Sequence, residues 1–172
     1  MKFKCNLASL FVALTLFTAL APAPASAAAM SDYLENKIVD WFIRGQVYAP
    51  PATQYVALAT TAGSDVACGT EVTGGSYARV AVTSGLTAWA GTQGAASTVA
   101  SSGTSGTTSN NGTITFPAPT ANWGSIVEVC VFDAATAGNM LWRTALTTPK
   151  TVNNLDPAPS FAAAALTFQV DN

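Results

Sequence analysis

The sequence has 172 residues and a formal net charge of −2, and only 9% of its residues are charged, against about 25% in an average soluble domain. So few basic side chains argue against nucleic acid or an anionic membrane surface as a partner. The sequence contains no histidine, which excludes catalysis by an imidazole base and metal sites with histidine ligands. We predict a protein that is not an enzyme and that uses no cofactor and no metal.

Residues 1–29 have the features of a targeting segment. Two lysines precede an apolar stretch over residues 7–20, and the small residues 25–27 follow it. This order is typical of a secretory signal peptide, and the apolar stretch is shorter than the ~20 residues that span a membrane. The alternative is a wrongly chosen start codon, with the protein beginning at Met30. Both hypotheses leave a single domain over residues 30–172.

Residues 31–44 are predicted to form one amphipathic helix at the start of this domain. Ser31 suits the N-cap position, and Gly45 follows the helix end. Four apolar residues at helical spacing form one face, namely Leu34, Ile38, Trp41 and Phe42. We expect this face to pack in the core, as aromatic stripes at helical spacing usually do. The alternative is a patch that docks one subunit on another.

The pattern changes to short strands after Pro50-Pro51. Residues 93–113 consist almost entirely of Gly, Ala, Ser, Thr and Asn, and such a stretch predicts a long mobile or extended loop because it has little apolar surface to bury. The strand over 125–133 is the most apolar and is expected at the centre of a sheet. About seven short strands separated by turns predict a mainly β fold, an antiparallel β-sandwich with the helix at its N-terminus. We predict strands over residues 55–60, 76–84, 86–90, 114–116, 125–133, 139–146 and 161–170.

Carboxylates are the remaining source of catalytic groups. Glu71 and Glu128 are conceivable partners in a glycosidase, which needs two acids across a cleft. A simpler hypothesis makes Glu71 a loop carboxylate that accepts backbone N–H bonds or pairs with Arg79. Tyr77 and Arg79 lie two residues apart on one strand face, so they could stack or pair with Glu71. Glu128 interrupts an apolar strand, and we expect its side chain to point outward, because a buried carboxylate would need a partner. The sequence predicts no catalytic residues.

Two cysteines follow the leader. Cys68 lies in a polar loop and Cys130 in the apolar strand over 125–133. In an exported protein they could form a disulfide. The alternative is a buried free Cys130 and an incidental surface Cys68. We predict no metal site at these positions, since the chain offers no histidine.

Three tryptophans are candidates for binding a sugar ring. Trp89, Trp123 and Trp142 could stack on a glycan if they are exposed. The alternative is that they belong to the core, because Trp123 and Trp142 lie at strand edges within apolar runs. With Tyr77 and Arg79, these tryptophans are the candidate contact residues.

Two runs of sequence carry a family resemblance. They are GTEVTGGSYARVAV over residues 69–82 and ITFPAPTANWGSIVEVCVFDAATAGNMLWRTALTTPKTVNN over residues 114–154. With them, the chain from Met30 to its C-terminus resembles a family of small bacteriophage virion proteins, called phage tail fibre or phage structural proteins. The resemblance implies a compact β-rich domain without catalytic activity that assembles into a phage particle. The family pattern NNGD has Leu155 in place of its glycine here, and we expect a strained turn or an exposed apolar side chain at that position.

The leading functional hypothesis is a structural protein of the virion, in the tail fibre, the tail tip or the capsid surface. Its partners would be further copies of itself, as a homo-oligomer, or other virion proteins. One alternative is a module that binds glycans or host cells. Another is a secreted bacterial surface or matrix protein built on a domesticated phage domain. The first hypothesis places the chain in the phage particle, whereas a working signal peptide would place it outside the cell.

Overall fold

The computed structural model describes residues 29–170. Within these residues the chain forms one helix, α1 (Asp32–Phe42), and short antiparallel strands, which confirms the prediction of a mainly β fold with one N-terminal helix. In the same range, no helix has the length and hydropathy needed to cross a membrane. The predicted leader lies outside the described residues, apart from Ala29. The strands are β1 (Ala29–Met30), β2 (Thr53–Ala59), β3 (Val80–Thr83), β4 (Thr107–Ser109), β5 (Ile114–Thr115), β6 (Gly124–Phe132), β7 (Met140–Val152), β8 (Ser160–Phe161) and β9 (Thr167–Gln169).

The main sheet has five strands in the order β1-β7-β6-β2-β3. Its central strand is β6, which pairs antiparallel with β2 on one side and β7 on the other. The last five residues of β6 are all buried, on both faces of the sheet. Such a strand reads as a continuous apolar run rather than an alternating one. The prediction that this segment is central is confirmed.

Two small sheets, β4-β9 and β5-β8, form a second layer over one face of the main sheet. Val56 and Val129 from the main sheet share this core with Phe116 and Phe168 from the second layer. The opposite face carries a smaller cluster because side chains alternate along a strand. That cluster consists of Ala57, Cys130, Phe132 and Met140.

The helix is attached to the sheet at its N-terminal end. Ser31 caps the helix by accepting a bond from the Leu34 N–H at 3.2 Å, and the Ser31 hydroxyl also donates to the Met140 carbonyl. Leu34 packs in the core, whereas Trp41 and Phe42 are 55% and 74% exposed. The prediction that these two aromatic residues lie in the core is wrong. The physical reason is that only the first turns of the helix rest on the sheet.

Four predicted strands differ from the structure. The strand predicted over 139–146 extends to Val152 as β7, and the one predicted over 161–170 divides into β8 and β9 with a turn between them. Residues 86–90 form a turn, in which both Ala88 and Trp89 donate to the Gly85 carbonyl, so the prediction of a strand there is wrong. The strand predicted over 76–84 is shortened to β3, because a turn with positive φ occupies residues 74–76. The strand predicted over 76–84 is shortened where Gly74 and Gly75 adopt φ +73° and +55°, a conformation that glycine adopts without strain.

The low-complexity stretch 93–113 is more ordered than predicted. It contains β4, and the buried Asn110 follows that strand. The Asn110 amide donates to the carbonyls of Gly112 and Ala162 at 2.7 and 2.8 Å and accepts from the Leu166 N–H at 2.9 Å. The hydrogen bonds of this one buried amide therefore connect the end of β4 to the segment over residues 162–166.

Leu155 occupies a left-handed backbone conformation with φ +65°. Its side chain is 83% exposed, and its N–H donates to the Pro119 carbonyl at 3.0 Å. Both consequences expected from replacing a turn glycine are confirmed. Leu155 thus combines an exposed apolar side chain with an unfavourable φ.

Candidate functional site

Glu71, Tyr77 and Arg79 form one ionic cluster, as the sequence predicted. The Arg79 guanidinium binds both carboxylate oxygens of Glu71, at 2.8 and 2.7 Å. Arg79 also donates to the carbonyls of Ala134 and Ala137, both at 2.8 Å. Its guanidinium lies 3.6 Å from the centre of the Phe132 ring. Four of the five N–H groups of Arg79 are therefore bonded, and two of these bonds hold the 134–137 turn against the sheet.

The Tyr77 hydroxyl bridges this cluster to β2. It donates to Glu71 at 3.0 Å and accepts from the Leu58 N–H at 2.9 Å. Burial raises the pKa of Tyr77 well above its usual range, and the Glu71 carboxylate raises it further. The ring packs edge-on against Trp123 with the centroids 5.4 Å apart. Tyr77 and Arg79 therefore hold elements of the fold together.

Glu128 is buried, with 1% of its surface exposed, so the prediction that it points outward is wrong. One oxygen accepts the N–H groups of Gly63 and Gly69 at 2.8 and 3.1 Å, and the other accepts from Arg143 at 3.3 Å. Arg143 also pairs with Asp65 at 2.8 Å. The loop over residues 61–70 and Arg143 of β7 thus together supply the partners that a buried carboxylate requires.

A disulfide fastens the same loop to the central strand. Cys68 and Cys130 are bonded in the structure, with their Cα atoms 6.0 Å apart. The ligand atoms of Cys68, Glu128 and Cys130 lie within 4.8 Å of one another. Sulfur atoms bonded to each other are not thiolates, however, and only thiolates bind metal. With the disulfide formed, the trio offers a single oxygen ligand.

The arrangement of Glu71 and Glu128 does not favour a glycosidase. Each carboxylate is bonded to an arginine, Glu71 to Arg79 and Glu128 to Arg143. A glycosidase needs two acids that face the substrate across a cleft, whereas Glu128 is buried, with 1% of its surface exposed.

The three candidate tryptophans lie in different surroundings. Trp123 is buried, with 5% of its surface exposed, and its indole N–H donates to the Gly75 carbonyl at 2.9 Å. Trp89 and Trp142 are half-buried. Both contact the buried ring of Phe168, with centroid distances of 5.8 and 5.7 Å. The structure therefore brings two of the candidate tryptophans together and places the third in the core.

Trp89 and Trp142 border a groove of about 370 Å³, which we call the aromatic groove. It lies where the 84–91 turn meets β2, β4, β7 and β9. Sequence reasoning named its two tryptophans but not the residues around them. Within residues 29–170, no charged residue lines the groove. The lining residues are Gln54, Ser84, Gly85, Leu86, Trp89, Ala90, Gly91, Ser101, Thr108, Trp142 and Phe168.

A second exposed feature lies at the end of α1. We call it the helix-end patch, and it consists of Val39, Trp41, Phe42, Ile43 and Val47. The sequence contained a signal for it. Three large apolar residues in a row, at positions 41–43, cannot all face the core from one helix, because successive residues are about 100° apart. At least part of this run had to face away from the sheet.

A family model of known proteins matches this chain over residues 29–169, and its description is podophage GP4 fiber I protein gp80. No curated protein matches the chain. The family match spans the helix, all three sheets, the cluster of Glu71, Tyr77 and Arg79, and the buried Glu128 with its partner Arg143. It agrees with the resemblance to phage tail fibre proteins carried by residues 69–82 and 114–154. This chain belongs to the family of the podophage GP4 fiber I protein gp80.

Proposed function

We propose that this chain is a non-enzymatic structural protein of a phage fibre and that it forms homo-oligomers through the helix-end patch. The family match supports a place in the virion. The observation that carries the assembly mode is the exposure of Trp41 and Phe42, 55% and 74%, on a helix that is anchored only at its other end.

Burial of the helix-end patch would stabilise an assembled state. Fully burying one large apolar side chain is worth about 1.5–3 kcal/mol, and aromatic residues are enriched at protein interfaces. Trp41 and Phe42 are adjacent, with ring centroids 6.1 Å apart. Ile43 and Val47 extend the same patch along the chain. Exposed large apolar residues grouped on one short segment are typical of a protein–protein interface.

A second copy of the chain suits the patch because of its charges. Asp40 and Arg44 flank the aromatic pair and are bonded to each other at 2.7 Å. Each patch thus carries one acid and one base. Two patches can be arranged about a two-fold axis so that Asp40 of one copy faces Arg44 of the other. Only 9% of the residues in the chain are charged, which also keeps repulsion between copies small.

The ionic clusters support a structural role over a catalytic one. The carboxylates of Glu71 and Glu128 serve to fix loops on the sheet, through Arg79 and Arg143. A chain that lacks histidine and bonds both Glu71 and Glu128 to arginines has few groups left for proton transfer.

Sedimentation velocity of the full chain tests the assembly mode. We expect the wild-type protein to sediment as an oligomer and the double variant Trp41→Ser, Phe42→Ser to sediment as a monomer. Val99→Ser is the matched control, because Val99 is an exposed apolar residue outside the patch, and it should leave the oligomer intact. A monomeric wild-type protein, or an oligomeric double variant, would contradict the proposal.

Purified particles test the place of the protein and the use of the leader. Mass spectrometry should find its peptides in the virion, and their absence would favour the secreted alternative. The N-terminal residue of the mature protein separates the two hypotheses on the leader. A start at Ala28 would indicate cleavage by a signal peptidase, and a start at Met30 would indicate a wrongly chosen start codon.

A further inference from the structure

We propose that the aromatic groove binds a neutral saccharide. This inference goes beyond the proposed function, because it rests on residues outside the helix-end patch and does not depend on assembly. The groove volume of about 370 Å³ lies within the range of small-molecule sites, about 300–1,000 Å³.

The first argument is the aromatic wall of the groove. Trp89 and Trp142 are half-buried, so part of each indole remains open to the groove. Phe168 is buried between them and contacts both, with centroid distances of 5.8 and 5.7 Å. Packing against a buried ring fixes the orientation of each indole before a ligand arrives. The apolar C–H face of a pyranose ring can stack on such a surface.

The second argument is a set of hydrogen-bond acceptors at the rim. The Ser84 hydroxyl donates to the Pro51 carbonyl at 2.6 Å, and the Thr108 hydroxyl donates to the Ala90 carbonyl at 2.8 Å. Each hydroxyl has one proton and two lone pairs. Both oxygens are therefore oriented by the protein and still able to accept a bond from a sugar hydroxyl.

Donors face the same groove. The Ser101 hydroxyl accepts a bond from the Thr92 N–H at 3.3 Å, which leaves its proton for a ligand oxygen. Gln54 adds a carboxamide, which both donates and accepts. Sugar hydroxyls likewise donate and accept, so a mixed set of amide and hydroxyl groups matches a polyol better than it matches an anion or a cation.

Charge selects the class of saccharide. None of the groove-lining residues is charged, so an acidic sugar would lose hydration without gaining an ion pair. Binding of a neutral sugar should also be insensitive to salt, because screening acts on charged partners.

Isothermal titration of the full chain with oligosaccharides tests this inference. The probes are neutral oligomers of glucose, galactose, mannose and N-acetylglucosamine, together with oligogalacturonate as an acidic probe. We expect at least one neutral oligomer to bind at millimolar concentration or below and oligogalacturonate not to bind. Failure of every neutral oligomer, or binding of the acidic one alone, would overturn the inference.

Variants locate the binding in the groove. Gln54→Ala should weaken binding about fivefold, as expected from the loss of one hydrogen bond, and Trp142→Ala should abolish it. Trp41→Ala is the matched control, because that tryptophan belongs to the helix-end patch, and it should bind as the wild type does. Circular dichroism establishes that each variant is folded. Unchanged binding by both groove variants would also overturn the inference, whereas the oligomeric state measured by sedimentation bears only on the proposed function.

Discussion

Replacement of Glu128 by glutamine tests whether the buried carboxylate holds the 61–70 loop in place. Glu128 is 1% exposed and accepts bonds from the N–H groups of Gly63 and Gly69 and from Arg143. A glutamine has nearly the same shape, but one of its two terminal atoms is an NH₂ group. That group must face either the two backbone N–H groups or the guanidinium, so donors would meet donors whichever way the amide is turned.

The expected cost follows from the bonds that are lost. Hydrogen bonds to a charged group contribute about 1.5–3 kcal/mol each, and breaking one partner of a buried ion pair costs about 3–5 kcal/mol. The single side-chain oxygen that remains after Glu128→Gln still accepts at one of the two sides. We therefore expect this variant to lower the free energy of unfolding by about 3 kcal/mol.

Asp65 provides the matched control, because it pairs with the same arginine. The Asp65 side chain is 53% exposed and lies 2.8 Å from Arg143. An exposed ion pair contributes about 0–1 kcal/mol. Asp65→Asn should therefore cost at most about 1 kcal/mol, although it also removes one carboxylate from Arg143.

Urea denaturation of the wild type and both variants, with the disulfide intact, measures the three free energies of unfolding. The slope with denaturant should not change, so that the midpoints report stability alone. A cost of less than about 1 kcal/mol for Glu128→Gln, or equal costs for the two variants, would refute the reasoning that burial makes this carboxylate essential.

Three further predictions concern stability. Reduction of the Cys68–Cys130 disulfide should lower the free energy of unfolding by about 4 kcal/mol, because the bond closes a loop with a sequence separation of 62 residues. Urea denaturation with and without a reductant measures this difference. An unchanged midpoint would contradict the prediction. Leu155→Gly should raise stability by about 0.5–1 kcal/mol, because glycine adopts φ +65° without strain but loses more entropy on folding; Leu155→Ala, which keeps the strain, should give no such gain in the same assay. Stability should fall as the pH rises above 10, because unfolded tyrosine loses its proton there while burial raises the pKa of Tyr77 in the folded protein. Tyr77→Phe should lack this contribution of up to about 1.4 kcal/mol per pH unit, so denaturation from pH 8 to pH 11 should show its deficit to the wild type shrinking above pH 10; a constant deficit would contradict the assignment.

Local sequence patterns predicted those features of the structure that depend on interactions between residues close together in the chain. At the N-cap, the Ser31 hydroxyl accepts a hydrogen bond from the N–H of Leu34, only three residues further along the chain. The central position of β6 follows from its unbroken apolar run. The pairing of Glu71 with Tyr77 and Arg79 joins residues within eight positions of one another, and the strain at Leu155 follows from one missing glycine. The sequence by itself determined these features.

Long-range contacts decided the rest. Glu128 is buried because the 61–70 loop brings N–H groups to its oxygens from 59 and 65 positions away in the sequence. The end of α1 is exposed because the sheet does not extend beneath it, which helical periodicity cannot show. The aromatic groove gathers Gln54, Trp89, Trp142 and Phe168 from four separate parts of the chain. The periodicity of apolar residues indicates which face of a helix or strand is apolar. Which other part of the protein packs against that face depends on how the strands and loops are arranged in three dimensions, and only the tertiary structure determines that arrangement.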